Sequence, residues 1–235
     1  MIELSGLKFE YPRSSFCLEF PDLKIEQGLS TAFVGPSGCG KTTLLQILSG
    51  TLVPQQGTVL VDGRNLVGLS DAERRRFRLS KIGMVFQEFE LIEYLNVLDN
   101  VLLPCRIGHS LPLTDEIRRQ ALQLISSVGL TQHLHKSVTR LSQGERQRVA
   151  ICRALLMKPA LVLADEPTGN LDPVTSGHIM DLLFSSVARS NATLLVVTHD
   201  HSLLPRFGRI IDFEQYLKSG QKPKSDPAVS GRGVS

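Results

Sequence analysis

Gly35-Pro36-Ser37-Gly38-Cys39-Gly40-Lys41-Thr42 fits the pattern GxxxxGK[ST] at every fixed position, and this stretch decides the fold. An apolar run at 31–34 precedes it and a helical pattern at 42–49 follows it. Strand, glycine-rich turn and helix start together form the setting in which this pattern cradles phosphate. Glycines let backbone N–H groups converge on phosphate oxygens without a Cβ in the way. The helix N-terminus adds partial positive charge. Gly35, Pro36, Ser37, Gly38, Cys39 and Gly40 are therefore expected to wrap a nucleoside triphosphate, with Cys39 a small filler at a free position. Lys41 is expected to reach the β- and γ-phosphates. Thr42 should place its hydroxyl on Mg²⁺, and Thr43 can contact the α-phosphate. A chance glycine-rich loop would explain neither flank.

Further along, residues 161–164 form an apolar run that ends in Asp165 and Glu166. An enzyme with a phosphate loop needs a carboxylate at the end of a neighbouring strand to hold Mg²⁺, often through waters. Asp165 suits that task. Glu166 points differently because it is the next residue, and it can polarise an attacking water as a general base. Other short apolar runs, at 59–61, 82–86 and 194–197, alternate with helical patterns at 71–79 and 173–189. That alternation predicts an α/β fold with a parallel sheet covered on both faces. Residues 2–10, 16–25 and 57–62 instead read as half-buried strands around turns, which predicts a flanking antiparallel β subdomain. From about 88 to 158 the pattern is helical, with Ile117, Ala121, Leu124, Ile125 and Val128 on one face. This predicts a helical subdomain inserted into a single domain of residues 1–216.

The chain has 235 residues, 42% of them hydrophobic, enough for a full core. Its net charge of +3 equals that of the stretch 217–235, where Lys218, Lys222, Lys224 and Arg232 oppose Asp226 alone. That stretch, rich in Gly, Pro, Ser and Lys, reads as a disordered basic tail. The rest is neutral on balance, so no nucleic-acid partner is expected. Cys17, Cys39, Cys105 and Cys152 form no metal-binding or disulfide pattern and predict reduced thiols in a cytosol. Neither a signal peptide nor an apolar run of membrane-spanning length is legible. The expected location is cytoplasmic, with any membrane attachment supplied by a partner. Arg74-Arg75-Arg76 reads as a solvated helix face.

Leu141-Ser142-Gln143-Gly144-Glu145-Arg146-Gln147-Arg148 opens another helical pattern that runs to Pro159. Ser142 with Glu145 three residues on is a capping box. A helix start bearing Ser and Gly is also a second anion site. Two such sites in one chain with one nucleotide suggest that the second serves another chain's triphosphate.

With the phosphate loop before it and Leu161-Val162-Leu163-Ala164-Asp165-Glu166-Pro167-Thr168-Gly169-Asn170-Leu171-Asp172 after it, this motif resembles the ATP-binding-cassette (ABC) ATPases over about residues 1–213. The resemblance implies a P-loop NTPase core in the ABC ATPase fold. It implies a head-to-tail homodimer with ATP between one subunit's phosphate loop and the other's Ser142 and Gly144. It also implies that Gln87 contacts Mg²⁺ and water and senses a transmembrane partner, that Asp172 meets the opposite subunit, and that His199 contacts the γ-phosphate. Tyr11 resembles the aromatic that stacks on adenine, with a simple cap of the first sheet as its alternative. His109, His133, His135, His178 and His201 read as structural or solvated. Gln143 stands where the family commonly has glycine.

Within the family the chain looks most like the lipoprotein-releasing and macrolide-export branch, in which short ATPase chains drive separate membrane subunits. Leu91, Ile92, Leu95, Val97, Val101 and Leu102 can then line a groove for a partner helix, fill the helical subdomain's core, or do both. Two other readings compete. A soluble ABC ATPase of DNA repair, chromosome organisation or translation usually carries a coiled coil, zinc-binding cysteines or a second cassette, none of which is seen. An unrelated P-loop kinase or GTPase leaves 141–148 unexplained.

Overall fold

The computed structural model describes residues 1–13, 16–108 and 112–216. The expectations for 217–235 and His109 lie outside the described residues. The chain opens with strands β1 (Ile2–Glu10), β2 (Cys17–Phe20), β3 (Leu23–Ile25) and β4 (Ser30–Val34). Helix α1 (Lys41–Leu48) is followed by β5 (Gln56–Val61) and β6 (Arg64–Asn65). Helix α2 (Asp71–Lys81) runs directly into β7 (Ile82–Val85). Next come α3 (Val97–Val101), α4 (Leu103–Ile107), α5 (Asp115–Ser127) and α6 (Gln143–Leu155). The chain then returns to the sheet with β8 (Leu161–Asp165), α7 (Pro173–Ser190), β9 (Thr193–Val197) and β10 (Arg209–Asp212).

Two sheets result. The first is parallel, in the order β10-β4-β9-β8-β7. Its inner strands β8 and β9 are buried almost end to end, as a strand covered on both faces must be. The second is antiparallel, with β1 pairing β2 and β3 along one edge and β5 along the other. Its burial alternates, Ile2, Leu4, Leu7 and Phe9 facing inward, which marks a half-buried sheet. The expected strand over 16–25 is two strands. Proline at 21 lacks the ladder N–H, and the chain breaks there between β2 and β3.

The α/β architecture is therefore a parallel sheet with an antiparallel sheet beside it and a helical segment between β7 and β8. One core lies between α1 and the two sheets and includes Phe33, Leu44 and Phe213. A second lies beneath α6 and α7. A third gathers α3, α5 and α6 around Val101, Ile125 and Val149. Val97, Val101 and Leu102 are fully buried there, so these positions fill the helical core.

The helical segment is docked closely on the sheet. A Cβ built on Gly83 in β7 would lie 2.5 Å from the backbone oxygen of Ala154 in α6 and 3.0 Å from Pro159 Cγ. Gly83→Ala is therefore expected to destabilise the fold by about 1–3 kcal/mol, the usual cost of overpacking. A fall in the urea midpoint at unchanged slope would show it, and an unchanged midpoint would count against it.

Candidate functional site

The strand β4 ends at Val34 and the chain turns sharply into α1. Gly35 has φ 143° and Gly40 φ 102°, both in the left-handed half of backbone space. A Cβ on Gly40 would lie 3.0 Å from Phe16 Cζ and 3.1 Å from Leu18 Cδ1, so a side chain here would be both crowded and strained at this positive φ. Gly40 is the N-cap of α1 and gives no side-chain cap, and no acidic residue stands in the first turn. By contrast α2, α5, α6 and α7 are capped by Ser70, Thr114, Ser142 and Asp172. The α1 N-terminus thus keeps its N–H groups and dipole for an anion.

A cleft of about 500 Å³ opens over this turn. Of the residues expected there, Tyr11, Gly35, Ser37, Gly38, Gly40, Lys41, Thr42, Thr43, Gln87, Asp165, Glu166 and His199 line it. Pro36 and Cys39 belong to the loop's frame instead: Cys39 N–H donates to Pro36 O at 3.4 Å, and the thiol is buried. Phe16 and Val197 also line the cleft and were not anticipated. Val197 simply ends an expected strand. Phe16 begins one, and its one signal was an aromatic that a hairpin could fold back over a glycine.

Lys41 Nζ donates to Gly35 O and Pro36 O, each at 2.8 Å, so the loop's own carbonyls hold the ammonium group beside the α1 N-terminus. Tyr11 lines the cleft with its hydroxyl set against α1. Its hydroxyl is within hydrogen-bond distance of Thr43 Oγ1 (3.2 Å) and donates to Gln46 Oε1 at 3.3 Å. Its ring packs edge-on to Phe9 at 4.8 Å.

Asp165 is half-buried at the end of β8. Burial pushes its carboxyl above the ordinary carboxylate range, while the bonded Thr42 hydroxyl and the Lys41 charge pull the other way. A carboxylate raised in this way is a stability cost when ionised. The fold is most at ease with Asp165 protonated at low pH, and that benefit is lost as pH rises through the raised value. Asp165→Asn is thus expected to raise the melting temperature at pH 7, and the gain should shrink as pH falls through the carboxylate range. An equal gain at both pH values would refute this origin.

Glu166 follows in the left-handed conformation (φ 47°), with its N–H donating to Val197 O at 2.9 Å. That backbone turn separates its side chain from that of Asp165. Its carboxylate pairs with Nδ1 of His199, which extends from the loop after β9. Gln87 is exposed after β7, its amide nitrogen 3.2 Å from where a Cβ on Gly169 would lie.

Ser142, Gly144 and Asp172 do not line this cleft. Ser142 and Glu145 form the expected capping box, with Glu145 Oε2 accepting from Ser142 N–H at 2.7 Å. That backbone N–H holds the Glu145 carboxyl below its usual range, and His133 Nε2 stands 3.2 Å from its other oxygen. Gly144 is also closely packed inside the chain: a Cβ there would lie 2.8 Å from Thr175 Cγ2, which would have to shift. Asp172 caps α7, accepting from the N–H groups of Val174 and Thr175.

Residues 18–169 match the family described as ABC transporter. The chain belongs to the ABC transporter family. The lipoprotein-releasing system ATP-binding protein LolD 1 of Rhodopirellula baltica is 44% identical to this ABC ATPase over 206 residues, 86% of this chain and 89% of that one. LolD of Bdellovibrio bacteriovorus is 43% identical over 200 residues, covering 85% and 88%. Among solved structures, the dimeric post-hydrolysis ATP-binding cassette MJ0796 bound to ADP and Pi superposes with a TM-score of 0.81 at 35% identity, covering 90% of this chain and 94% of that one. The cassette cbiO1 of Clostridium perfringens, part of the cbiONQ transporter complex, gives 0.79 at 30% identity, covering 90% and 83%. The ABC ATPase fold and the ATP-binding, ATP-hydrolysing class of this chain rest on these likenesses together with the cleft.

Proposed function

We propose that this ABC ATPase is the energy-supplying subunit of a lipoprotein-releasing type transporter, closing head-to-tail with a second copy around ATP and driving a separate membrane subunit. The observation that carries the reading is the division of the motif residues. The phosphate loop, Asp165, Glu166, Gln87 and His199 share one cleft, while Ser142, Gly144 and Asp172 lie outside it. A second copy supplies what the cleft lacks, and the similar MJ0796 cassette is dimeric. The LolD relatives at 40–44% identity favour the lipoprotein-releasing branch.

In this reading Lys41 and the α1 N-terminus bind the phosphates, and Tyr11 stacks on the base. Glu166 takes the proton of the attacking water, and His199, paired with Glu166, orients that carboxylate and the γ-phosphate. The donor set fits Mg²⁺. A hydroxyl beside one carboxylate, Thr42 and Asp165, leaves room for the waters this ion retains, and Gln87 stands near. When bound, Mg²⁺ neutralises charge on the phosphates. Among the described residues no helix is long and apolar enough to cross a membrane. Attachment to the cytoplasmic face is therefore assigned to the membrane subunit.

The test is reconstitution of the full chain in nanodiscs with the membrane protein that co-purifies with it. Turnover of ATP should rise when an acylated lipoprotein is added. Stimulation by DNA or ribosomes in place of any membrane protein would sink the proposal.

A further inference from the structure

The turn that follows Gln87 is built from two consecutive left-handed residues, Phe89 (φ 61°) and Glu90 (φ 49°). Neither is glycine. Such a conformation persists only where its surroundings hold it. Phe89 is buried, and Glu90 N–H donates back to Glu88 O at 2.6 Å. Two side chains from distant elements secure the turn. Arg153, near the C-terminal end of α6, donates from Nη2 to Phe89 O at 2.7 Å and from Nη1 to Glu90 O. Asn170, in the loop after Glu166, donates from Nδ2 to Gln87 O at 3.4 Å and to Glu88 Oε1 at 3.1 Å.

The phosphate chemistry described above uses none of the Arg153 contacts. Burial pushes the Arg153 guanidinium down to about 10, against the opposing charge of Glu90, which leaves it cationic at neutral pH. A half-buried cation spent on two carbonyls of one strained turn calls for an explanation beyond solubility. A guanidinium is a planar fork able to grip both carbonyls at once, and an ammonium is a single point.

We infer that Arg153 is a positioning residue for hydrolysis. By pinning the Phe89 and Glu90 carbonyls to α6, the helix capped by Ser142, it fixes where Gln87 stands at the cleft. This rests on the proposed role of Gln87 beside Mg²⁺. It adds a link inside one chain: α6 carries the segment offered to the other copy at one end and the clamp on Gln87 at the other. A displacement of α6 then displaces Gln87, so the two half-sites of one chain are read together.

The experiment compares full chains in the reconstituted complex, by Mg-ATP turnover and by fluorescent-nucleotide affinity without Mg²⁺. Arg153→Lys is expected to lower kcat at least about tenfold and to raise the half-saturating Mg²⁺ concentration, with affinity changed less than about twofold because the phosphate loop is untouched. Glycine adopts positive φ freely, so Arg153→Lys combined with Glu90→Gly should recover at least about threefold of the lost kcat. If Arg153→Lys does not fold, Arg153→Gln, which keeps one donor, is read the same way. A kcat and Mg²⁺ requirement within twofold of the parent would overturn the inference, as would lost activity that Glu90→Gly leaves unrescued. Gln87→Ala separates the two levels. If it is impaired while Arg153→Lys is not, the role of Gln87 stands and the clamp falls. If Gln87→Ala turns over normally, both fall.

Discussion

Glu166→Gln should lower ATP turnover by about 10²- to 10⁴-fold, the range over which a positioned general base acts. The substitution changes little else. Glutamine has the same shape, and its amide oxygen can still accept from His199, the present partner of the carboxylate. The left-handed backbone at Glu166 and its bond to Val197 O belong to the main chain and survive. The proposed phosphate-binding elements, Lys41, the glycine turn and the uncapped start of α1, are all untouched. Binding and chemistry should therefore separate. Nucleotide affinity should stay within about threefold of the parent while kcat collapses, the signature of an interaction made only in the transition state. Fluorescent-nucleotide titration and phosphate release under saturating ATP measure the two. Turnover within a few-fold of the parent would remove Glu166 from the base role and shift attention to His199.

The parts of this molecule that were legible in its sequence are those set by local physics. The glycine turn at 35–42 was readable because only glycine takes those backbone angles. The Ser142–Glu145 capping box was readable because it is a three-residue hydrogen-bond exchange, and it forms as expected. The strands β8 and β9 were readable because burial on both faces demands unbroken apolar runs. What stayed hidden depends on partners far along the chain. The strand β10 is short and half-exposed, and it exists because β4 offers it an open edge. Arg74 belongs to a charge run expected to be solvated. Arg75 and Arg76 are exposed, but Arg74 is half-buried, packs on Gly50 and donates to Leu69 O. His133 was read as structural or solvated, and its place beside Glu145 emerges once the turn before α6 has folded back. Phe16 across from Gly40 and Arg153 on Phe89 and Glu90 are likewise contacts between segments that no periodicity connects.

The proposed composite site predicts that two inactive chains restore each other. Lys41→Met removes the cation while keeping a side chain of similar length, and Gly35 O and Pro36 O lose the bonds they accept from the ammonium group. Loss of such a preorganised group costs about 10²–10³ in rate, besides weakened ATP binding. Ser142→Asp acts on the other half. Aspartate caps a helix as well as serine, so α6 should form normally. Its carboxylate would however face the phosphates of the opposite copy, and like charges at that distance repel. Each variant alone gives a symmetric dimer with two damaged sites. In a mixed dimer the chain bearing Lys41→Met contributes an intact Ser142, and the chain bearing Ser142→Asp contributes an intact phosphate loop. One of the two sites is then whole and the other doubly damaged. With random pairing at equal concentrations and independent sites, about a quarter of the parent's activity should return, because a two-fold interface exchanges the same patches between copies. ATP trapped per dimer is measured alongside turnover, so that a whole site is detected even if hydrolysis needs both. A mixture that traps no more ATP than either variant alone would mean that Ser142 is no part of the site, and the cleft around Lys41 would have to be treated as complete within one chain.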